Sequence, residues 1–206
     1  FSTRSALRHH SVRKFVRSIT KRSRSVENRG VRLHEETKVE RSGRKIRHTA
    51  IELQEVRTLV KEAEKAIARR MFNEAERNYI QALTIREDAH EVKADLAKLY
   101  LQSERPAKAE ALYLEVVAVK PEAPYLANLG LAFYQQQKWA ESQQAYQQAF
   151  DLDPTADRAF ALARVHIARK QFDAAAPLLE KAKARHSRNT ELLHLLAESY
   201  LNIGDQ

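Results

Sequence analysis

The chain of 206 residues repeats itself, at a step of roughly 33–34 positions, and this restricts the fold more than any other feature. Pro121 maps onto Pro154 at a shift of 33. In that register Leu96-Ala97 falls on Leu129-Gly130, Tyr100 on Phe133, Ala109 on Ser142, and Tyr113 on Tyr146. One step further, Leu162-Ala163, Ala175, Leu179 and Ala182 take the same places. One step earlier, Phe72, Ala75, Tyr79, Ala82 and Ile85 fill the second half of a unit, and Leu193, Leu196-Ala197 and Tyr200 begin a later one. The units run about 56–89, 90–122, 123–155 and 156–189, with a partial unit at 190–206. A unit this short cannot bury both of its faces alone, so consecutive units must stack.

The spacing within a unit is helical. Leu129, Gly130 and Phe133 stand at i, i+1 and i+4 and share one face. Gly130 and Ala97 have almost no side chain, which lets a partner helix approach closely. Tyr146 and Ala149 fill the space opposite, and Pro154 ends the second helix. The chain has four glycines and five prolines, too few for the tight turns of an all-β fold. The expected class is therefore all-α. Trp139, Phe72 and Phe172 fall at the turn inside their units and are expected to pack into the core. Ile46, Ala50, Leu53, Val56, Val60, Ala63 and Ile67 recur every three or four residues, so one long helix should lead into the first unit.

The set Leu126, Leu129, Gly130, Phe133, Ser142, Tyr146, Ala149 and Pro154 resembles the tetratricopeptide repeat, a helix–turn–helix unit of about 34 residues. The resemblance covers about residues 56–206. It departs from the pattern at Glu62, His166 and Ser187, which stand where Leu, an aromatic and the closing Pro are expected. It implies a right-handed α-solenoid whose first helices line a concave groove, with a peptide or helix of a protein partner bound there. By register, the groove-facing places include Lys98, Leu131, Tyr134, Gln135, Phe160, Arg164 and His194. Leu131, Tyr134 and Phe160 are large, apolar and not required by the repeat motif. Beside a cation and an amide they suit peptide recognition. The competing reading is that neighbouring helices cover them. Chaperone-binding members use a basic-and-asparagine clamp for a terminal carboxylate. Val60, Glu64, Asp157 and Ala161 occupy its places here, or Ala94 and Lys98 if the clamp starts one unit later, and only Asn128 fits, so that role is disfavoured. Gly204-Asp205 matches the turn before a second helix, so the chain is expected to continue as further repeats, just as the initial Phe1 suggests residues upstream.

Charge is uneven. Residues 1–50 hold 15 Lys and Arg against 4 Asp and Glu, a net of +11. Residues 51–206 hold 21 against 23, a net of −2. The break marks a boundary between a basic arm, residues 1–45 (helical in part), and the repeat domain, residues 46–206. Val12, Phe15, Val16 and Ile19 would form a short apolar stripe, with Arg13, Lys14, Arg17, Lys21, Arg22 and Arg24 around it as anion-binding groups. Cations of this kind collect on the cytoplasmic side of a membrane and contact anionic lipid. They also grip nucleic-acid phosphates, though a single aromatic argues against base stacking. An organelle-targeting segment or a solvated tail are the other readings.

Catalytic chemistry is not visible. There is no cysteine, which excludes disulfides and thiolate metal sites. None of the eight histidines stands at a metal-ligand spacing, and no phosphate loop or nucleophile elbow occurs. His166 is expected as a packing residue. The sequence predicts a non-enzymatic protein–protein interaction scaffold without cofactor or metal, cytoplasmic, and tethered by its basic arm to a membrane surface. The alternative is a nucleic-acid or ribonucleoprotein-associated adaptor whose arm contacts phosphate.

Overall fold

The computed structural model describes residues 50–204. The six cations of the arm, and the start of the long helix at residues 46–49, lie outside the described residues. Nine α-helices and no strand occur among those described: α1 (Ala50–Ala68), α2 (Phe72–Ile85), α3 (His90–Gln102), α4 (Pro106–Val119), α5 (Ala123–Gln135), α6 (Trp139–Leu152), α7 (Ala156–Ala168), α8 (Phe172–Lys183) and α9 (Thr190–Gly204). The fold is all-α, of the helical-repeat class. Gly204, expected in a turn, is the last helical residue of α9.

The described residues form two compact units, which divide between residues 96 and 97. In the first, α1 packs on α2, and Val56, Ala63 and Ala66 of α1 and Ala75, Tyr79 and Ala82 of α2 are buried. Burial pushes the Tyr79 hydroxyl up to about 12, with Asp95 and Glu64 adding to the shift. In the second unit each helix from α4 to α9 packs on the next, and α7 also touches α9. Leu126, Leu129 and Phe133 of α5 are fully enclosed, as are Ala163 of α7 and Leu179 of α8. These are the repeat positions read from the sequence.

At Gly130 the helices approach most closely. A Cβ added there would lie 2.9 Å from Cγ and Cδ2 of Tyr146. The Gly130 carbonyl also accepts a hydrogen bond from Ser142 Oγ, at 2.9 Å and fully buried. Ser142 thus serves the small-residue place of its unit and binds α6 to α5 at the same point.

The first helix of each of the four complete units ends in one identical turn. In the turn after α5, Lys138 N donates to Phe133 O at 3.0 Å and Gln137 N to Tyr134 O at 2.9 Å. The same pair of bonds recurs after α1, α3 and α7. This motif needs a left-handed residue, usually glycine. Here it is filled by Arg70 (φ 59°), Glu104 (58°), Gln137 (58°) and Lys170 (57°). The second helices end differently. Ahead of Pro121 and Pro154, Lys120 leaves the helical region (φ −123°, ψ 84°) and Asp153 is extended. Ala184 stays right-handed helical where Ser187 replaces the proline. Arg86 is extended without a proline after it, so proline is not the only stop in use. In α8, Pro177 lies inside the helix and cannot donate to the carbonyl of Asp173.

Two polar groups are buried for reasons of packing. Glu110 of α4 accepts from Lys138 Nζ at 2.6 Å and Gln136 Nε2 at 2.7 Å, which fastens the turn after α5 to the preceding unit. His166 replaces an aromatic in α7 and is 7% exposed, with Nδ1 2.9 Å from Gln171 Oε1. Burial holds its pKa below the ordinary value; Arg169 acts the same way, and the Gln171 hydrogen bond opposes them. The fold therefore prefers neutral imidazole. That preference contributes fully above the unfolded value of about 6.5 and is lost as pH falls from there through the folded pKa. The expected result is a thermal midpoint that drops between pH 7 and 5, with a smaller drop in His166→Phe. Equal slopes in both proteins would remove His166 from the account.

Candidate protein-binding face

The seven groove positions all belong to residues 97–206. Lys98 on α3, Gln135 at the end of α5 and His194 on α9 are exposed. None of these three has a hydrogen bond or ion pair among the described residues. Leu131, Tyr134, Phe160 and Arg164 are half-buried. Leu131 and Tyr134 rest on the cluster of Tyr146, Leu162 and Val165. Phe160 rests on a second cluster that includes Ala159, Leu179 and Leu192. Each of these apolar side chains is thus anchored on one side by packing and open to solvent on the other. Neighbouring helices thus cover these residues incompletely.

Tyr134 is the centre of a side-chain row that crosses three first helices. Trp139, the first residue of α6, presents an edge to the Tyr134 ring, with centroids 5.2 Å apart and planes at 73°. On α7, the Arg164 guanidinium carbon lies 5.0 Å from the same ring centroid. Arg164 Nε in turn pairs with Glu191 Oε1 of α9 at 3.2 Å. The stacking is favourable because the ring face is electron-rich and guanidinium is weakly hydrated. Arg164 also lies close enough to oppose, weakly, the upward shift that burial imposes on the Tyr146 hydroxyl. The sequence assigned Tyr134 and Arg164 to one face. It did not show that they touch, or that Trp139 buttresses Tyr134.

Acidic groups flank the row. Asp157 on α7 is engaged by His186 Nε2 at 2.6 Å and by Arg185 at 3.8 Å. Among the described residues no group of three or more His, Cys, Asp or Glu could hold a metal ion. No described helix is long and apolar enough to cross a membrane.

Stacked helix pairs with a polar–aromatic row across their first helices define a helical-repeat interaction scaffold. Residues 66–130 and 123–156 match models of the tetratricopeptide repeat. The chain is a tetratricopeptide repeat protein. Its fold is similar to that of MamA, with a TM-score of 0.67 at 20% identity over 73% of this chain and 84% of that one. It is similar to pilF of Pseudomonas aeruginosa, with 0.64 at 18% over 75% and 71%. It is also similar to a thermophilic tetratricopeptide repeat protein of Thermus thermophilus, with 0.59 at 19% over 72% and 83%. At these identities the likeness shows the fold alone. No curated protein matches the sequence.

Proposed function

We propose that this interaction scaffold holds a peptide or helix of a protein partner on the first-helix face of residues 97–206, and that its basic arm tethers it to the cytoplasmic face of a membrane. The row from Trp139 through Tyr134 and Arg164 to Glu191 carries the first half of the reading. The repeat motif does not need these side chains in order to stack, yet they are ordered against each other. Aromatic anchors with a stacked arginine are what protein interfaces use for most of their affinity. The net charge of +11 on residues 1–50 supports the tether, since juxtamembrane cations contribute about 1 kcal/mol each near an anionic surface.

A test should avoid the half-buried residues, whose loss would disturb the packing. Lys98→Glu, Gln135→Glu and His194→Glu combined change only exposed groups. A peptide selected by display against the unaltered chain should bind this variant about tenfold or more weakly, at an unchanged thermal midpoint. Unchanged affinity would place the peptide elsewhere. For the arm, flotation with anionic vesicles and a salt-titrated shift with oligonucleotide separate the membrane reading from the nucleic-acid one.

A further inference from the structure

Arg164 is held as if for a second partner. Its guanidinium is stacked on Tyr134, and its inner nitrogen, Nε, is taken by Glu191. The two terminal nitrogens have no hydrogen-bond partner among the described residues, and the side chain is 38% exposed. A guanidinium held over a ring and beside a carboxylate has given up part of its freedom before any ligand arrives. Its open Nη edge can then take a carboxylate with little further ordering. At the same repeat position stand Lys98, two units earlier, and Leu131, one unit earlier. The face therefore offers cation, apolar and cation in three successive units.

The nearby acids do not cancel this. Asp157 is engaged by His186 and Arg185, while Glu191 lies 3.2 Å from Nε and shares Arg164 with any incoming carboxylate. Glu198 is one place from His194 in the groove register and remains as a competing negative charge.

We propose that Arg164 is the carboxylate anchor of this face, and that the partner is an acidic segment of a protein in which Asp or Glu alternates with apolar residues. The inference rests on the groove reading above and names the chemistry it selects. An acidic side chain pairs with the Nη edge of Arg164, and its apolar neighbours lie on Leu131 and Tyr134. A polyanion would also be drawn to Lys98 and Arg164. The apolar surface between them favours the peptide.

The experiment uses the full chain and two labelled nonapeptides with the same alternating Leu and Phe, one with Glu and one with Gln between them. Fluorescence anisotropy at low salt should show the Glu peptide binding about tenfold or more tightly than the Gln peptide, the factor expected of one charge-assisted pair. Arg164→Gln should abolish that preference with an unchanged circular dichroism spectrum. Arg164→Lys, which keeps the charge and loses the fork, should recover only part of it. Equal binding of the two peptides overturns the proposal, as does a preference that survives Arg164→Gln. If the Gln peptide binds equally well and is still weakened by the Lys98, Gln135 and His194 changes, the groove reading stands and this inference alone falls. If neither peptide binds, both fall. Displacement of the Glu peptide by a single-stranded oligonucleotide in an Arg164-dependent way would show a phosphate site, and also overturns it.

Discussion

Replacing Gly130 with alanine should destabilise the repeat domain by about 1–3 kcal/mol, the usual cost of one methyl forced into a packed contact. The direction is opposite to helix propensity, by which alanine gains about 1 kcal/mol over glycine. Sterics prevail because the added Cβ would meet the Tyr146 ring at 2.9 Å. That ring is packed with Leu162 and Val165 and cannot swing aside freely. The following unit shows one remedy. There Ala163 and Leu179 occupy the equivalent places, both fully buried. Adding Tyr146→Leu to Gly130→Ala should therefore recover much of the loss seen in thermal melts. Gly204 is the control: nothing lies within 4 Å of its added Cβ. Alanine there should be neutral or mildly stabilising. If Gly130→Ala melts no lower than the parent chain, the close approach of α5 and α6 is not a constraint.

The opposite effect is expected at the four turns. Changing Arg70, Glu104, Gln137 and Lys170 to glycine should stabilise the chain by about 0.5–1 kcal/mol at each position. All four hold φ between 57° and 59°, a conformation that strains a residue with a Cβ and costs glycine almost nothing. The positions are far apart, so the gains should nearly add, to about 2–4 kcal/mol. For a chain of this size that raises the thermal midpoint by roughly 5–15 °C. The four side chains are exposed, so little packing is lost in exchange. A quadruple variant that melts at or below the parent temperature would mean that these side chains contribute something the turn geometry does not reveal.

Much of the architecture was legible in the residues. Leu129, Gly130, Phe133, Tyr146 and Ala149 mark two facing helices because their spacing is helical and their sizes are complementary. The ends of α4 and α6 were legible because proline dictates the backbone before it. The four turns were hidden for the converse reason. Their marker is ordinarily glycine, and Arg, Glu, Gln and Lys carry no such signal. The candidate face was legible only as register. Position placed Tyr134 and Arg164 on first helices, but their contact joins successive units, and the Glu191 contact reaches one unit further. Packing decides such pairs, not local pattern. The half-burial of Leu131 and Phe160 was likewise beyond a reading of spacing, since it depends on how α7 and α9 lie against them.

Pro177 leaves α8 one backbone hydrogen bond short, and α8 packs against both α7 and α9. In a repeat array, free energy is held locally, between neighbours. The missing bond lowers the cost of opening this helix, while its buried Ala175, Ala176, Leu179 and Ala182 tie it to its neighbours. Arg164 stands on the helix before it and Glu191 on the helix after it. Their ion pair bridges the two helices that flank α8. The consequence is thermodynamic reciprocity: whatever loosens α8 weakens that pair, and the pair disfavours the opening of α8.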